Sequence, residues 1–285
     1  MPRVIGPTIP RWQLGGELSR LREAAGVTWA EAAEALGCSE SKIRKIEGGH
    51  VGVVKAELAL LLATYGVHDE ELRASLSALQ GLGRQRGWWA QFGRLPGPFT
   101  TYLDLESAAT TIRIFEPLMI HGLLQTEDYA RAVAETVSLG PAVEQERQAK
   151  IRLARQERVL EAEEPPTLWV ILDEAALRRP VGGLDVMTEQ LCHLARLADR
   201  PEVTVQVVPF RHGGHPGALG AFTIFEFDED RHSPVVYVEG QAGSLYLERS
   251  DDLSRCSLAY DHMTAAALSP PESLRLIEAI AKSEA

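Results

Sequence analysis

The chain has 285 residues, of which 45% are hydrophobic and 24% charged, with a formal net charge of −11 at pH 7. This length supports one large domain or two ordinary ones with real cores, and the composition excludes wholesale disorder. Cys38, Cys192 and Cys256 are odd in number and far apart, which excludes a disulfide framework or a CxxC zinc pair and predicts a reducing, cytoplasmic compartment. The opening MPRVIGPTIPRW has no long apolar core, so no secretory signal is expected. No stretch of about 18 uninterrupted apolar residues predicts a membrane span.

In chain order, a first helix is predicted from near Leu14, where Leu14, Leu18, Leu21 and Ala25 recur at helical spacing and Gly26 stops it. Thr28 is a good N-cap for a second helix through Leu36. Gly37 breaks that helix, Ser39 caps a third, and Gly48-Gly49 ends it. A fourth helix is expected over about 55–65 and a fifth over about 69–79. Residues 80–99 then become rich in Gly, Pro and Arg, with Trp88, Trp89 and Phe92 among them, which marks a domain boundary. Such aromatics stack on nucleic-acid bases or anchor a linker; the linker reading is preferred. The expected domains are 11–80, a linker over 81–100, and 101–285.

Beyond the linker, Leu105, Ala108, Ala109, Ile112 and Phe115 predict an amphipathic helix ending before Pro117. Thr126 caps a further helix, and a long charged helix covers about 142–162. TLWVILD (167–173), VTVQVVPF (203–210) and AFTIFEF (221–227) read as strands, with a core-facing helix at Met187, Leu191, Leu194 and Ala198 between the first two. Residues 235–248 form a hairpin closed by a Gly-containing loop, and two helices follow, over about 250–267 and 270–282. The expectation is an all-α N-terminal domain followed by an α+β domain with a small, mainly antiparallel sheet.

The second and third helices fit a helix-turn-helix. That unit needs a small residue at the helix contact, a strain-tolerant turn residue, and apolar residues pinning the second helix. Ala33 lies four residues before Gly37, and Ile43 and Ile46 lie six and nine after it; Ala32, Leu36 and Cys38 fill the other inward positions. With the two isoleucines inward, Ser41, Arg44 and Lys45 project outward, flanked by Glu40 and Lys42, on the face that would enter a major groove. Ser39 and the helix N-terminus offer donors to a phosphate. Over residues 11–70 seven basic residues stand against nine acidic ones, about −2, so the vote for DNA comes from pattern rather than charge. Screening confines the repulsion of the acidic chain to about 8–10 Å at cellular salt.

Residues 14–66, with LREAAGVTWAEAAEALGCSESKIRKIEGG, resemble the λ-repressor-like (Xre) helix-turn-helix regulators common in actinomycetes. In that family Ser/Thr-Gln usually opens the second helix. This chain has Thr28-Trp29, so Trp29 either packs against the first helix or presses on the sugar-phosphate. Glu40 stands where a neutral residue is common; it can accept from cytosine N4 but cannot read adenine bidentately. The segments IFEPLMIHGLLQTEDYARAV, LDEAALRRPVGG, VTVQVVPFRHGGHPGALGAFTIFEF and VVYVEG resemble the C-terminal domain of WhiJ-like Streptomyces regulators. The resemblance implies a transcriptional regulator, often encoded beside a small acidic BldB-like partner protein that it binds. The residues expected on operator DNA are Thr28, Trp29, Ser39, Glu40, Ser41, Lys42, Arg44 and Lys45, and because a lone helix-turn-helix buries little DNA surface a homodimer is expected.

Two alternatives remain. One is an antitoxin-like protein that sequesters a small partner and autoregulates. The other is an enzyme or metal sensor built on His212 and His215, whose HxxH spacing lies near Asp228 and His232. A tight Gly-Pro turn between strands explains the histidines more simply. Asp173, Glu174, His215 and Glu239 suggest acid/base work, but strand-end carboxylates more often cap a following helix, here DEAAL. No GxSxG, glycine-rich phosphate loop or HExxH accompanies them, so no enzyme, cofactor or metal is expected.

Overall fold

The computed structural model describes residues 6–137, 141–228 and 232–284. The chain divides into two compact units, essentially residues 4–108 and 109–285. The first is helical: α1 (Thr8–Ala24), α2 (Trp29–Leu36), α3 (Glu40–Glu47), α4 (Lys55–Thr64), α5 (Glu70–Leu82), a short 3₁₀ segment (Trp88–Phe92) and α6 (Gly97–Ala108). The expected boundary at 100/101 falls inside α6.

Local chemistry explains these ends. Thr28 Oγ1 accepts from Glu31 N at 3.2 Å while the Glu31 carboxylate accepts from Thr28 N at 2.8 Å, a reciprocal capping box at α2. Gly37 closes α2 at φ 64°, and Cys38 N donates back to Ala33 O at 2.9 Å. That left-handed conformation is open to glycine at little cost. Ser39 caps α3 by accepting from Lys42 N at 3.3 Å. At α4, where the sequence showed no capping residue, Glu57 reaches back to Val54 N at 3.0 Å. Asp69 caps α5.

α1 begins at Thr8, earlier than its leucine stripe predicts. Asp104 of α6 accepts from both Thr8 N (3.2 Å) and Thr8 Oγ1 (2.5 Å), answering N–H groups that a helix start leaves open. Burial pushes the Asp104 carboxyl up to about 7, against the opposing pull of Thr8. The core joins Leu14 and Leu18 of α1 to Ala32 and Ala33 of α2, Ile43 and Ile46 of α3, and Leu58, Leu61 and Leu62 of α4. Each fully buried isoleucine or leucine contributes about 1.5–3 kcal/mol. α1 and α3 meet at Gly15, where an added Cβ would stand 2.4 Å from Glu47 O and 2.6 Å from Ile46 O; only a residue without a side chain permits that approach.

The second unit carries β1 (Thr111–Glu116), α7 (Glu127–Val137), α8 (Ala142–Leu160), β2 (Thr167–Asp173), α9 (Glu174–Arg178), α10 (Leu184–Leu197), β3 (Val203–Val208), β4 (Phe222–Glu226), β5 (Val235–Gly240), β6 (Gly243–Leu247), α11 (Ser250–Ala266) and α12 (Pro270–Glu284). The strands form one six-stranded sheet in the order β3-β2-β1-β4-β5-β6. β1 pairs parallel with β2 and β2 with β3; the remaining pairs are antiparallel.

This corrects the expected small antiparallel sheet: it is larger and mixed. The error traces to residues 111–116. Leu105, Ala108, Ala109 and Ile112 fall at helical spacing, yet α6 ends at Ala108 and Thr111-Ile-Arg-Ile-Phe is a strand. β-Branched and aromatic residues suit it, and Ile112, Ile114 and Phe115 are all fully buried, so the strand is covered on both faces. That central strand joins the parallel half to the antiparallel hairpin. On one face Phe115, Ile171, Ile224 and Val236 pack with Tyr260 and Met263 of α11.

Candidate nucleic-acid interface

Ile43 and Ile46 are buried on α3, and Ser41, Arg44 and Lys45 are exposed beside the half-exposed Lys42. Thr28, Ser39 and Glu40 are also exposed, with Thr28 and Ser39 occupied as caps of α2 and α3.

The basic residues differ in how free they are. Lys42 Nζ pairs with Glu57 Oε1 at 2.6 Å. The pair raises the lysine above its ordinary range and lowers the glutamate. Arg44 lies over Trp29, its Cζ 3.7 Å from the ring centroid, with Glu40 Oε2 at 3.6 Å from its guanidinium. Lys45 makes no ion pair among the described residues.

Trp29 is the organising side chain. Its Nε1 donates to Glu47 Oε2 at 2.9 Å. Glu47 also takes Arg22 of α1 bidentately, at 2.7 and 3.1 Å, and Arg22 donates to Val27 O at 3.1 Å. Arg22 Cζ stands 4.8 Å from the Trp29 centroid, so the indole is flanked by two guanidiniums. Both partners of the Arg22–Glu47 pair are almost wholly buried, at 6% and 7% side-chain exposure, and the bond to Glu47 raises the arginine further. A buried pair of this kind fixes geometry more than it adds stability. Trp29 therefore neither rests on α1 alone nor stands free: it joins α1, α2 and α3 and supports Arg44. Glu47, Glu57 and Arg22 were not among the expected site residues. One signal was present for Arg22, which follows Leu14 and Leu18 at i+4 spacing and so sits on the core face.

In the second unit, His215 Nε2 lies 3.0 Å from Asp173 Oδ2, and its Nδ1 is buried with no partner among the described residues. His212 is exposed on a 3₁₀ turn. Asp173 caps α9 through Ala175 N at 2.7 Å. Glu174 accepts from Phe210 N and from Arg178, so the strand-end carboxylates hold backbone and helix. Strand alternation puts Glu239 on the sheet face opposite Asp173, so the suspected group of four does not converge. Among the described residues no cluster of three or more His, Cys, Asp or Glu side chains is arranged to hold a metal.

The model of a helix-turn-helix domain matches residues 13–76, and that of a domain of unknown function, DUF5753, matches residues 99–279. No curated protein and no solved structure matches the chain. The helix-turn-helix match points to DNA binding. No helix among the described residues is long and apolar enough to cross a membrane.

Proposed function

We propose, for a chain that belongs to the DUF5753 family and carries a helix-turn-helix domain ahead of it, a sequence-specific, non-enzymatic transcriptional regulator of the λ-repressor-like (Xre) type with a WhiJ-like C-terminal domain. In this reading residues 11–80 bind DNA, 81–100 connect, and the remainder regulates. The observation that carries it is the left-handed Gly37 turn, with Ile43 and Ile46 buried and Ser41, Arg44 and Lys45 outward. α3 enters the major groove. Arg44 reads a base edge or phosphate from its Trp29 platform, Ser41 and Glu40 face bases, and Lys42, Lys45, Thr28 and Ser39 serve the backbone. One such unit covers a single half-site, so two copies act together.

The test replaces Arg44 and Lys45 by Ala and measures binding to the protein's own promoter across salt concentrations. The variant binds at least tenfold more weakly, and each lost phosphate contact lowers the salt slope by about 1. Unchanged affinity and slope sink the proposal.

A further inference from the structure

In the helical unit a cleft lies where the start of α1, the loop after α3 and the end of α5 meet. Its lining includes Arg11, Gly52, Val53, Gln80, Gly83 and Arg84. Two hydrogen bonds build it. Gln80, 2% exposed, donates through Nε2 to Val53 O at 2.8 Å, which ties α5 to the loop. Arg11 Nε donates to Gly83 O at 2.5 Å. An added Cβ on Gly83 would stand 2.9 Å from Arg11 Cγ, so the missing side chain lets the arginine cross the end of α5. Arg11 Nε then lies 3.7 Å from where a Cβ of Gly52 would be.

Donors collect there without acceptors. Beyond the bond from Nε, the Arg11 guanidinium makes no hydrogen bond or ion pair among the described residues, and Asp104 acts on it only at a distance. The exposed Arg84 side chain makes none either. The main-chain N–H groups of Gly52 and Val53 are also unbonded among the described residues. Val53 is only 3% exposed, and a main-chain donor so placed ordinarily has an acceptor. No carboxylate among the described residues lines the cleft. Residues 81–100 carry Arg84, Arg86 and Arg94 and no acidic residue, in a chain of net charge −11.

We infer that this cleft takes a backbone phosphate of the bound DNA, with Arg11 and Arg84 as its charged donors and the Gly52 and Val53 N–H groups beside them. The inference rests on the DNA-binding reading and extends it. Both arginines lie outside residues 13–76, which the helix-turn-helix model matches, and Arg84 stands in the segment otherwise assigned to connection alone. Position favours a phosphate. α3 has eight residues, so it is about 12 Å long, and the major groove is about 12 Å wide. The chain that leaves α3 thus meets the groove's edge, where the phosphates are, within the few residues to Gly52. His50 N and Val51 N both donate to Lys45 O, which holds the loop against the helix. Gln80 Oε1, buried without a partner among the described residues, accepts from a bridging water whose second hydrogen faces the phosphate.

The full chain and its Arg84→Gln, Arg86→Gln and Arg44→Ala variants are titrated onto the protein's own promoter and onto an unrelated duplex at three salt concentrations. Arg84→Gln is expected to bind both duplexes roughly three- to tenfold more weakly, with a salt slope lower by about 1 and an unchanged Tm, because a phosphate contact carries no sequence information. Arg86→Gln removes the same charge outside the cleft and is expected to weaken binding by less than about twofold. Unchanged affinity and slope in Arg84→Gln, or an equal loss in Arg86→Gln, overturns the inference. If Arg44→Ala loses promoter binding while Arg84→Gln does not, this inference fails alone; if neither changes, the DNA-binding reading fails with it. In a second arm the wild type and Arg84→Gln are melted without DNA in inorganic phosphate and in chloride at matched ionic strength, and equal responses are expected. A larger phosphate response in the wild type, with DNA binding unaltered by Arg84→Gln, assigns the cleft to a free anion and overturns the inference.

Discussion

Arg44, the outward arginine of α3, lies with its guanidinium carbon 3.7 Å from the ring centroid of Trp29 at the start of α2. The indole is itself fixed by Glu47 at 2.9 Å. A long side chain that would otherwise sample many rotamers is thus ordered before any ligand arrives, which lowers the entropy lost on binding.

Replacing Trp29 by Leu removes the stack and leaves Glu47 short of a donor. The cation–π term is about 0.5–1 kcal/mol at an exposed site, and the lost hydrogen bond costs about 1–3 kcal/mol. The expected outcome is a destabilisation of about 2–3 kcal/mol by urea denaturation, together with weaker operator binding. Trp29→Phe keeps a ring for Arg44 without the N–H, so it retains more affinity than Trp29→Leu at similar stability. Equal affinities for the two variants count against a platform role.

The Arg22–Glu47 pair behaves differently from the surface pairs. Arg22→Met leaves a buried carboxylate with only Trp29 and costs about 3–5 kcal/mol. Arg20→Met, which removes the exposed Arg20–Glu17 pair, changes stability by less than about 1 kcal/mol. Chemical denaturation of both variants checks the contrast.

Glu57→Gln frees Lys42 from its 2.6 Å partner while the amide oxygen still accepts from Val54 N. DNA affinity is expected to rise several-fold, with the salt slope steeper by about 1. Titrations at three salt concentrations check it, and a flat response would mean that Lys42 faces no phosphate.

Asp104 sets a pH dependence. Its carboxyl titrates near 7 in the fold and near 3.9 in the unfolded chain, so the protonated form is favoured in the native state. That contribution is complete below about pH 4 and is lost as pH rises through about 7. Asp104→Asn keeps an oxygen acceptor for Thr8 and removes the titration. The variant's Tm is expected to change less than the wild type's between pH 5 and pH 8.

The helical unit was legible because its determinants are local. Thr28 with Glu31, Gly37, Ser39 and Asp69 lie within a few residues of what they cap, and the leucine and isoleucine spacing falls on one face. β1 was not legible, because its six residues carry a period that also fits a helix, and its strand character comes from β2 and β4, far along the chain. The platform under Arg44 was hidden for a related reason. Trp29, Glu47 and Arg22 are 18 and 25 positions apart in their pairings, and only the packing of α1 against α3 at Gly15 brings them together.

The position of β1 also fixes an order of events during synthesis. The core of the helical unit is built from residues before 108, whereas the N–H and hydroxyl of Thr110 must wait for Glu226 O, 116 positions downstream, before they are bonded. Until then the centre of the sheet has an open edge of Ile112, Ile114 and Phe115, the kind of surface that recruits other chains. A product truncated between β3 and β4 therefore keeps an intact helix-turn-helix beside an aggregation-prone half-sheet. Slow translation across residues 116–222 prolongs that exposure, and a chaperone acting on this protein has its main target there.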